Sequence, residues 1–473
     1  MDLYVIWVAW TKLFVRGLFA RLLLMTIKSK ERRVIGGLRL PKQIGLSFLS
    51  FFEKEGGGVT MNKGAITIAM CLMLTLTWLP SAMASNDVLI AMVYPLSGAL
   101  TETGKRLKAV YEVAAEVING SYDLPGIPYA KTKGIPGLGG AKIVLKFYDT
   151  QASPEIGKAE TERIIGEGKA KLIIGCYNSG VSKPASFVAE RHKFPFLCAV
   201  SSSAELTERG LKYFFRVAPT DYHDSVLFFD FLDEMAAKGK NVKRVAVTCE
   251  KTEFGKHATG EILNRAKERG YTIVANVPYA FKATDVNAEV LKIKAAKPDV
   301  IIQGSVFSEL VLFAKTYKDL GLKTNAILNF CGGFQNPRFA SQMGADAEGW
   351  SGSCTFAPDF IGKKAHLKKI NAMYKEKTGM DMDGIAMESF TTLFVAADVF
   401  SRAKSTAPEA VTNALRTTEL VIDTMPGKGV KFAENGQNIW IASTLSQVQN
   451  GKYRVVWPKE WASSGLWWPM YKK

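Results

Sequence analysis

Residues 172–186 read LIIGCYNSGVSKPAS. An apolar run from Leu172 is followed by the polar turn Asn178-Ser179-Gly180, and then by a segment with helical patterning. The stretch predicts a buried strand that passes directly into a helix. It places hydrogen-bonding residues where the strand runs out. In open α/β sheets ligands bind in the crevice beyond the carboxyl ends of the strands. A helix that starts there points unpaired N–H groups into that crevice.

The same alternation extends in both directions. Upstream, VLIAMVYPL and AKIVLKFYDT read as strands, each followed by an amphipathic helical stretch. Downstream, FPFLCAV is a strand, and a short helix is expected near Glu205. The pattern restarts after Arg216–Thr220 with a helix, then with strands in VKRVAVTCE, YTIVANVPY, PDVIIQGS and NAILNF separated by helices. Short apolar runs joined by longer helical segments indicate βαβ units and parallel sheets. The expected class is α/β, with two Rossmann-like lobes and a cleft between them. Residues 120–140 are rich in Gly and Pro and read as a surface loop. After Gly349 an irregular stretch is expected, followed by two helices.

The 473 residues carry a formal charge of +17. Residues 1–84 hold 11 of the 61 basic and 4 of the 44 acidic side chains, so +10 stays on the remainder. The remaining lysines are dispersed along amphipathic stretches and are not interleaved with aromatics. Nucleic acid is therefore not an expected partner. Residues 61–84, MNKGAITIAMCLMLTLTWLPSAMA, have a basic start, an apolar centre, a proline break and a small-x-small end, which is the pattern of a signal peptide. Residues 1–60 then read as a mis-assigned start or a leader extension. Five cysteines follow the signal, with no CxxC pair and no zinc spacing. Cys176 and Cys198, on strands expected to be neighbours, are the best candidates for a disulfide.

The motifs argue against an enzyme. The GALTETGK segment at residues 98–105 has one residue too many for a phosphate loop, and Arg106 stands where a magnesium-binding hydroxyl belongs. No GxGxxG follows a strand, and His192, His223, His257 and His366 form no metal motif. Ser179 lacks the G-x-S-x-G setting of a nucleophile elbow. No cofactor, metal or catalytic residue is expected. What recurs is a polar turn at strand ends: Ser97-Gly98, Ser179-Gly180 and Ser201-Ser202-Ser203, with Ser202-x-x-Glu205 at capping-box spacing. Converging hydroxyls and free N–H groups without an acid among them suit a carboxylate or another small anion.

The run IIGCYNSGVSKPASFVAERHKFPFLCAVSSSAELTERG, with RVAPTD after it, resembles the type I periplasmic binding proteins of the leucine/isoleucine/valine kind. IAMVYPLSG, YDTQASP, the EFG turn at 253–255 and GADAEGW at 344–350 fall in family order, and the likeness covers the chain from Val88 onward. The resemblance implies two lobes joined by three crossovers, here 88–219 with 355–440 and 220–354 with 441–473. It implies capture of an amino acid or related small carboxylate in the cleft and delivery to the membrane permease of an ABC transporter, by a monomer in the periplasm. A ligand-sensing receptor or regulator of the same fold, for amides or aromatic acids, is the alternative.

By position, Ser179 and Ser202 would hold the ligand's carboxylate, with Ser97, Gly180 and Ser201 beside them. The carbonyl of Val200 would face its ammonium, Val306 stands at about the place of the family's second-lobe tyrosine, and Phe254, Phe307 and Phe330 would form an apolar second wall. Two departures stand out. Ser153 and Asn178 occupy the places of the family's cysteine pair. No carboxylate lies near Asn329-Phe330, where the ammonium's partner belongs. Either Glu309 or another acid substitutes, or the second wall is apolar and the ligand is an amine-free acid, apolar or aromatic.

Overall fold

The computed structural model describes residues 87–471. The expected signal peptide and the extension before it lie outside the described residues.

A five-stranded parallel sheet holds the first part of the chain, in the order β2-β1-β3-β4-β5. Along the chain it comprises β1 (Val88–Tyr94), α1 (Thr101–Asn119), β2 (Ile143–Asp149), α2 (Pro154–Glu167), β3 (Leu172–Gly175), α3 (Ser179–Arg191), β4 (Phe196–Cys198), α4 (Glu205–Glu208) and β5 (Phe214–Arg216). β1 is a nearly unbroken apolar run because helices cover both faces of a parallel sheet. Helix α1 reaches the strand end closely: a Cβ on Gly104 would lie 1.9 Å from the Pro95 carbonyl oxygen, so only glycine fits there.

The chain then leaves this sheet. It builds α5 (Asp221–Ala237), β6 (Arg244–Cys249), α6 (Glu253–Glu268), β7 (Thr272–Asn276), α7 (Asn287–Ala296), β8 (Val300–Gly304), α8 (Phe307–Asp319), β9 (Ala326–Phe330), α9 (Gly332–Gln335), α10 (Arg338–Met343) and β10 (Ser351–Cys354). It returns to the first half as α11 (Ala365–Thr378), α12 (Gly384–Ala403), α13 (Pro408–Arg416) and the hairpin β11 (Glu419–Val421) with β12 (Gly429–Lys431). It ends with β13 (Thr444–Gln449) and β14 (Lys452–Trp457), antiparallel additions to the second sheet, whose order is β14-β13-β10-β9-β8-β6-β7. The polypeptide thus passes between the two sheets three times.

Helix α12 is apolar nearly all round and buried from residue 386 to 400, packed with α1 in the core of the first half. Such composition belongs to an interior helix. The segment 120–140, expected as a surface loop, is docked instead: Leu124, Ile127 and Ile135 are buried, and the Tyr129 hydroxyl donates to Asp398 of α12. The irregular stretch expected after Gly349 contains strand β10, whose small residues SGSC carry little strand signal. Cys176 and Cys198 are both free, buried thiols. The Cys198 sulfur faces the carbonyl of Ser201 at 4.0 Å, and no disulfide joins the pair.

Candidate ligand cleft

A cavity of about 420 Å3 lies where the carboxyl ends of β3 and β4 face those of β6, β8 and β9. Its first wall is the strand-to-helix turn that opened the sequence reading. Asn178 is the N-cap of α3, yet its side chain makes no capping hydrogen bond. Its carbonyl accepts from Val181 and Ser182 N–H, both at 3.0 Å. The helix N-terminus is therefore left open toward the cavity, which Asn178, Ser179, Gly180, Val200 and Ser202 line. The Ser179 hydroxyl is 2 % exposed and accepts from Ser203 N–H at 3.3 Å, locking the two serine turns together. An open helix N-terminus beside hydroxyls is a site for an anion.

Other expected residues are placed elsewhere. Ser97 is exposed, and its hydroxyl donates to Asp149 at 2.5 Å, so it ties β1 to β2 and does not face the cavity. The hydroxyl of Ser201 is consumed inside the turn by Ser182 and the carbonyls of Cys176 and Tyr177. Phe330 lies behind the wall, because an inward side chain at the end of β9 packs on Phe228 and on Phe254, with ring centroids 6.1 and 5.5 Å apart. Phe254, at the start of α6, and Val306, the N-cap of α8, do line the cavity. The capping box expected at Ser202 is absent, since Ala204 caps α4 and Glu205 turns to Lys183.

The cavity is not free of acid. Asp224 from α5, Glu250 just beyond β6 and Glu388 from α12 all reach the cavity, with Tyr177, Phe281 and Gln335. Glu309 does not: it is buried behind, accepting from Lys282 N–H at 2.8 Å. Glu250 is 4 % exposed, and its Oε2 has no hydrogen-bond partner. Burial pushes the carboxyls of Asp224 and Glu250 up to about 7, and that of Glu388 well above the ordinary range. One signal for Glu250 was legible: an acid directly after a buried strand in VTCEKTEFG. Glu388 is one of two carboxylates, with Asp398, inside a mostly apolar helix, and nothing local says which way it faces.

At the mouth of the cavity a lysine, two glutamates and a histidine join the halves. Lys183 of α3 lies 2.8 Å from both Glu205 of α4 and Glu253 of α6, and His257 of α6 reaches Glu205 at 2.6 Å and Glu253 at 3.0 Å. The hydrogen bond and charge of Lys183 hold the Glu205 carboxyl down at about 2. The cation between these carboxylates is the lysine's own.

The fold has known counterparts. The periplasmic binding protein family model matches residues 87–452. The chain belongs to the periplasmic binding protein family. A Leu/Ile/Val-binding protein homolog 7 of Brucella suis is 28% identical over 415 residues, which are 86% of this chain and 99% of that protein. The leucine-binding protein LivK of Thermotoga maritima superposes with a TM-score of 0.66 at 22% identity, over 78% of this chain and 97% of that one. A solute-binding protein of an ABC transporter from R. palustris, solved with benzoate, gives 0.67 at 15% identity, over 78% and 95%. The type I periplasmic binding fold follows, with its two parallel-sheet lobes and three crossovers. The chain is a solute-binding protein and not an enzyme. Periplasmic binding proteins of this family take up small molecules and work with ABC transporters.

Proposed function

We propose that this protein is exported and captures an amino acid or related small carboxylate between its lobes, 88–219 with 355–440 and 220–354 with 441–473. It then delivers the ligand to the permease of an ABC transporter. One observation carries the reading: a single cavity has an open helix N-terminus with serine hydroxyls on one side and an unpartnered carboxylate on the other. Ser179, Ser202 and the first N–H groups of α3 take the carboxylate, with Gly180 allowing close approach. Val200, Phe254 and Val306 shape the space between the ends, and Glu250 on the second wall accepts from the ammonium. A ligand bridging both walls favours the closed arrangement by its differential affinity for it.

The acids lining the cavity favour, of the two alternatives left by Asn329-Phe330, the one in which another acid takes the ammonium. Thermal melting of the purified protein with amino acids and with their deaminated analogues tests this. A ligand at a hundredfold its Kd adds about 2.7 kcal/mol to the stability of the native state. Amino acids are expected to raise Tm more than their deaminated counterparts. No response to any member of either set would overturn the assignment.

A further inference from the structure

We infer that the ligand carries two cationic nitrogens besides its carboxylate, one seated at Glu250 and one between Asp224 and Glu388, so that the substrate class is the basic amino acids. The inference rests on the carboxylate end assigned above to the Ser179 turn.

The argument is one of charge and place. Three carboxyl groups, each at least nine-tenths buried, line one cavity. The cations near it are already engaged: Lys183 with Glu205 and Glu253, and Arg106 with Asp383. Among the described residues no cation is paired with Asp224, Glu250 or Glu388, and Glu250 Oε2 has no partner of any kind. The three fall into two stations. Glu388 has Asp224 and the Arg106-paired Asp383 as acidic neighbours, with the Thr355 hydroxyl donating at 2.6 Å. Glu250 instead has Glu309 behind it and the Thr252 hydroxyl at 2.9 Å.

One α-ammonium compensates one station. The other would leave buried carboxyls facing a cavity without a counter-charge, which is costly unless they stay protonated. Burial does hold them toward the neutral form, so the ligand-free cavity is tolerated. A second cationic nitrogen turns this held-back charge into charge-assisted hydrogen bonds. Gln335 Oε1 and Asn178 Oδ1, also buried without partners and also on the cavity, add acceptors for the extra N–H groups. The cavity volume of about 420 Å3 accommodates such a molecule.

Calorimetric titration of the purified protein with L-lysine, L-ornithine, L-arginine, L-leucine and benzoate decides the matter. At least one of the three basic amino acids is expected to bind about tenfold or more tightly than leucine. Glu388→Gln and Asp224→Asn should each weaken that ligand about tenfold, and by a larger factor than they weaken leucine. Glu250→Gln should weaken both kinds. Leucine binding as tightly as all three basic amino acids, or no binding by any of them, overturns the inference. In the first case the proposed function stands; binding of benzoate alone overturns the inference and the seating of an ammonium at Glu250, and leaves only capture of a small carboxylate. The wild-type comparison carries the test even where a variant fails to fold.

Discussion

Glu250 shows how one side chain couples the cleft to stability. Its carboxyl and that of Asp224 sit at about 7 in the folded protein, raised by burial, against about 4 in an unfolded chain. Between those values the folded state holds protons that the unfolded state releases, so stability is greater at the acid end and falls as pH rises toward 7. Asp221, raised to about 7 by burial, acts in the same sense. His223 opposes it, since burial lowers its basicity, so just below the free value of about 6.5 the unfolded chain takes up a proton that the folded protein does not. The Tm of the ligand-free protein is therefore expected to fall between pH 5 and pH 7.5, by about a few kcal/mol in stability across the groups. Glu250→Gln and Asp224→Asn should each flatten that slope in a melting series; an unchanged slope would place these carboxyls in ordinary solvated states.

Ser179 acts differently. It lines the cavity, and its hydroxyl accepts from Ser203 N–H. Ser179→Ala should cost about 1 kcal/mol in denaturant unfolding and weaken carboxylate ligands about tenfold. A loss of stability alone would make it a tie between turns only.

At the level of elements, the cleft depends on how tightly helices start against strand ends. Gly255, in the first turn of α6, is the tightest case: a Cβ there would fall 1.8 Å from the Glu250 carbonyl oxygen. Gly255→Ala must push α6 from β6 and turn Glu250 and Phe254 away from the cavity. Overpacking of this kind costs roughly 1–3 kcal/mol. A matching loss in the Tm gain given by the ligand would separate displacement of the site from simple destabilisation. The strands and long helices were legible because their hydrophobic periods are local. Strand β10 and the docked segment 120–140 were not. A small-residue strand is stabilised by its neighbours, and a Gly/Pro-rich segment reveals its buried side only against α12.

Across the whole molecule, two polar networks hold distant segments in register. Arg216 is fully buried, and burial lowers it to about 10. It donates to the carbonyls of Ser201 and Ser203, to Thr207 and to Gln437. It thereby fixes the serine turn to a segment that arrives much later in the chain. Arg216→Met orphans these acceptors and should cost at least about 3 kcal/mol, read from denaturant unfolding. The second network is the cluster of Lys183, Glu205, Glu253 and His257 across the cavity mouth. Lys183→Met should shift the ligand-free protein toward a larger radius of gyration in solution scattering, and added salt should weaken the wild-type contact in the same direction. Equal radii in both proteins would show that the cluster does not hold the halves together.

By itself the sequence determined the α/β class, the placing of Ser179, Gly180, Val200 and Ser202 at strand ends, and the family likeness. Each of these rests on patterns within a few dozen residues. Only the tertiary structure decided which side chains face the cavity. It removed Ser97, Ser201 and Phe330, whose partners Asp149, Ser182 and Phe228 come from elsewhere in the fold. It added Asp224, Glu250 and Glu388, brought together from α5, β6 and α12. A carboxylate's direction depends on the packing of the helix or strand that carries it, and that packing is set by contacts far away in the chain.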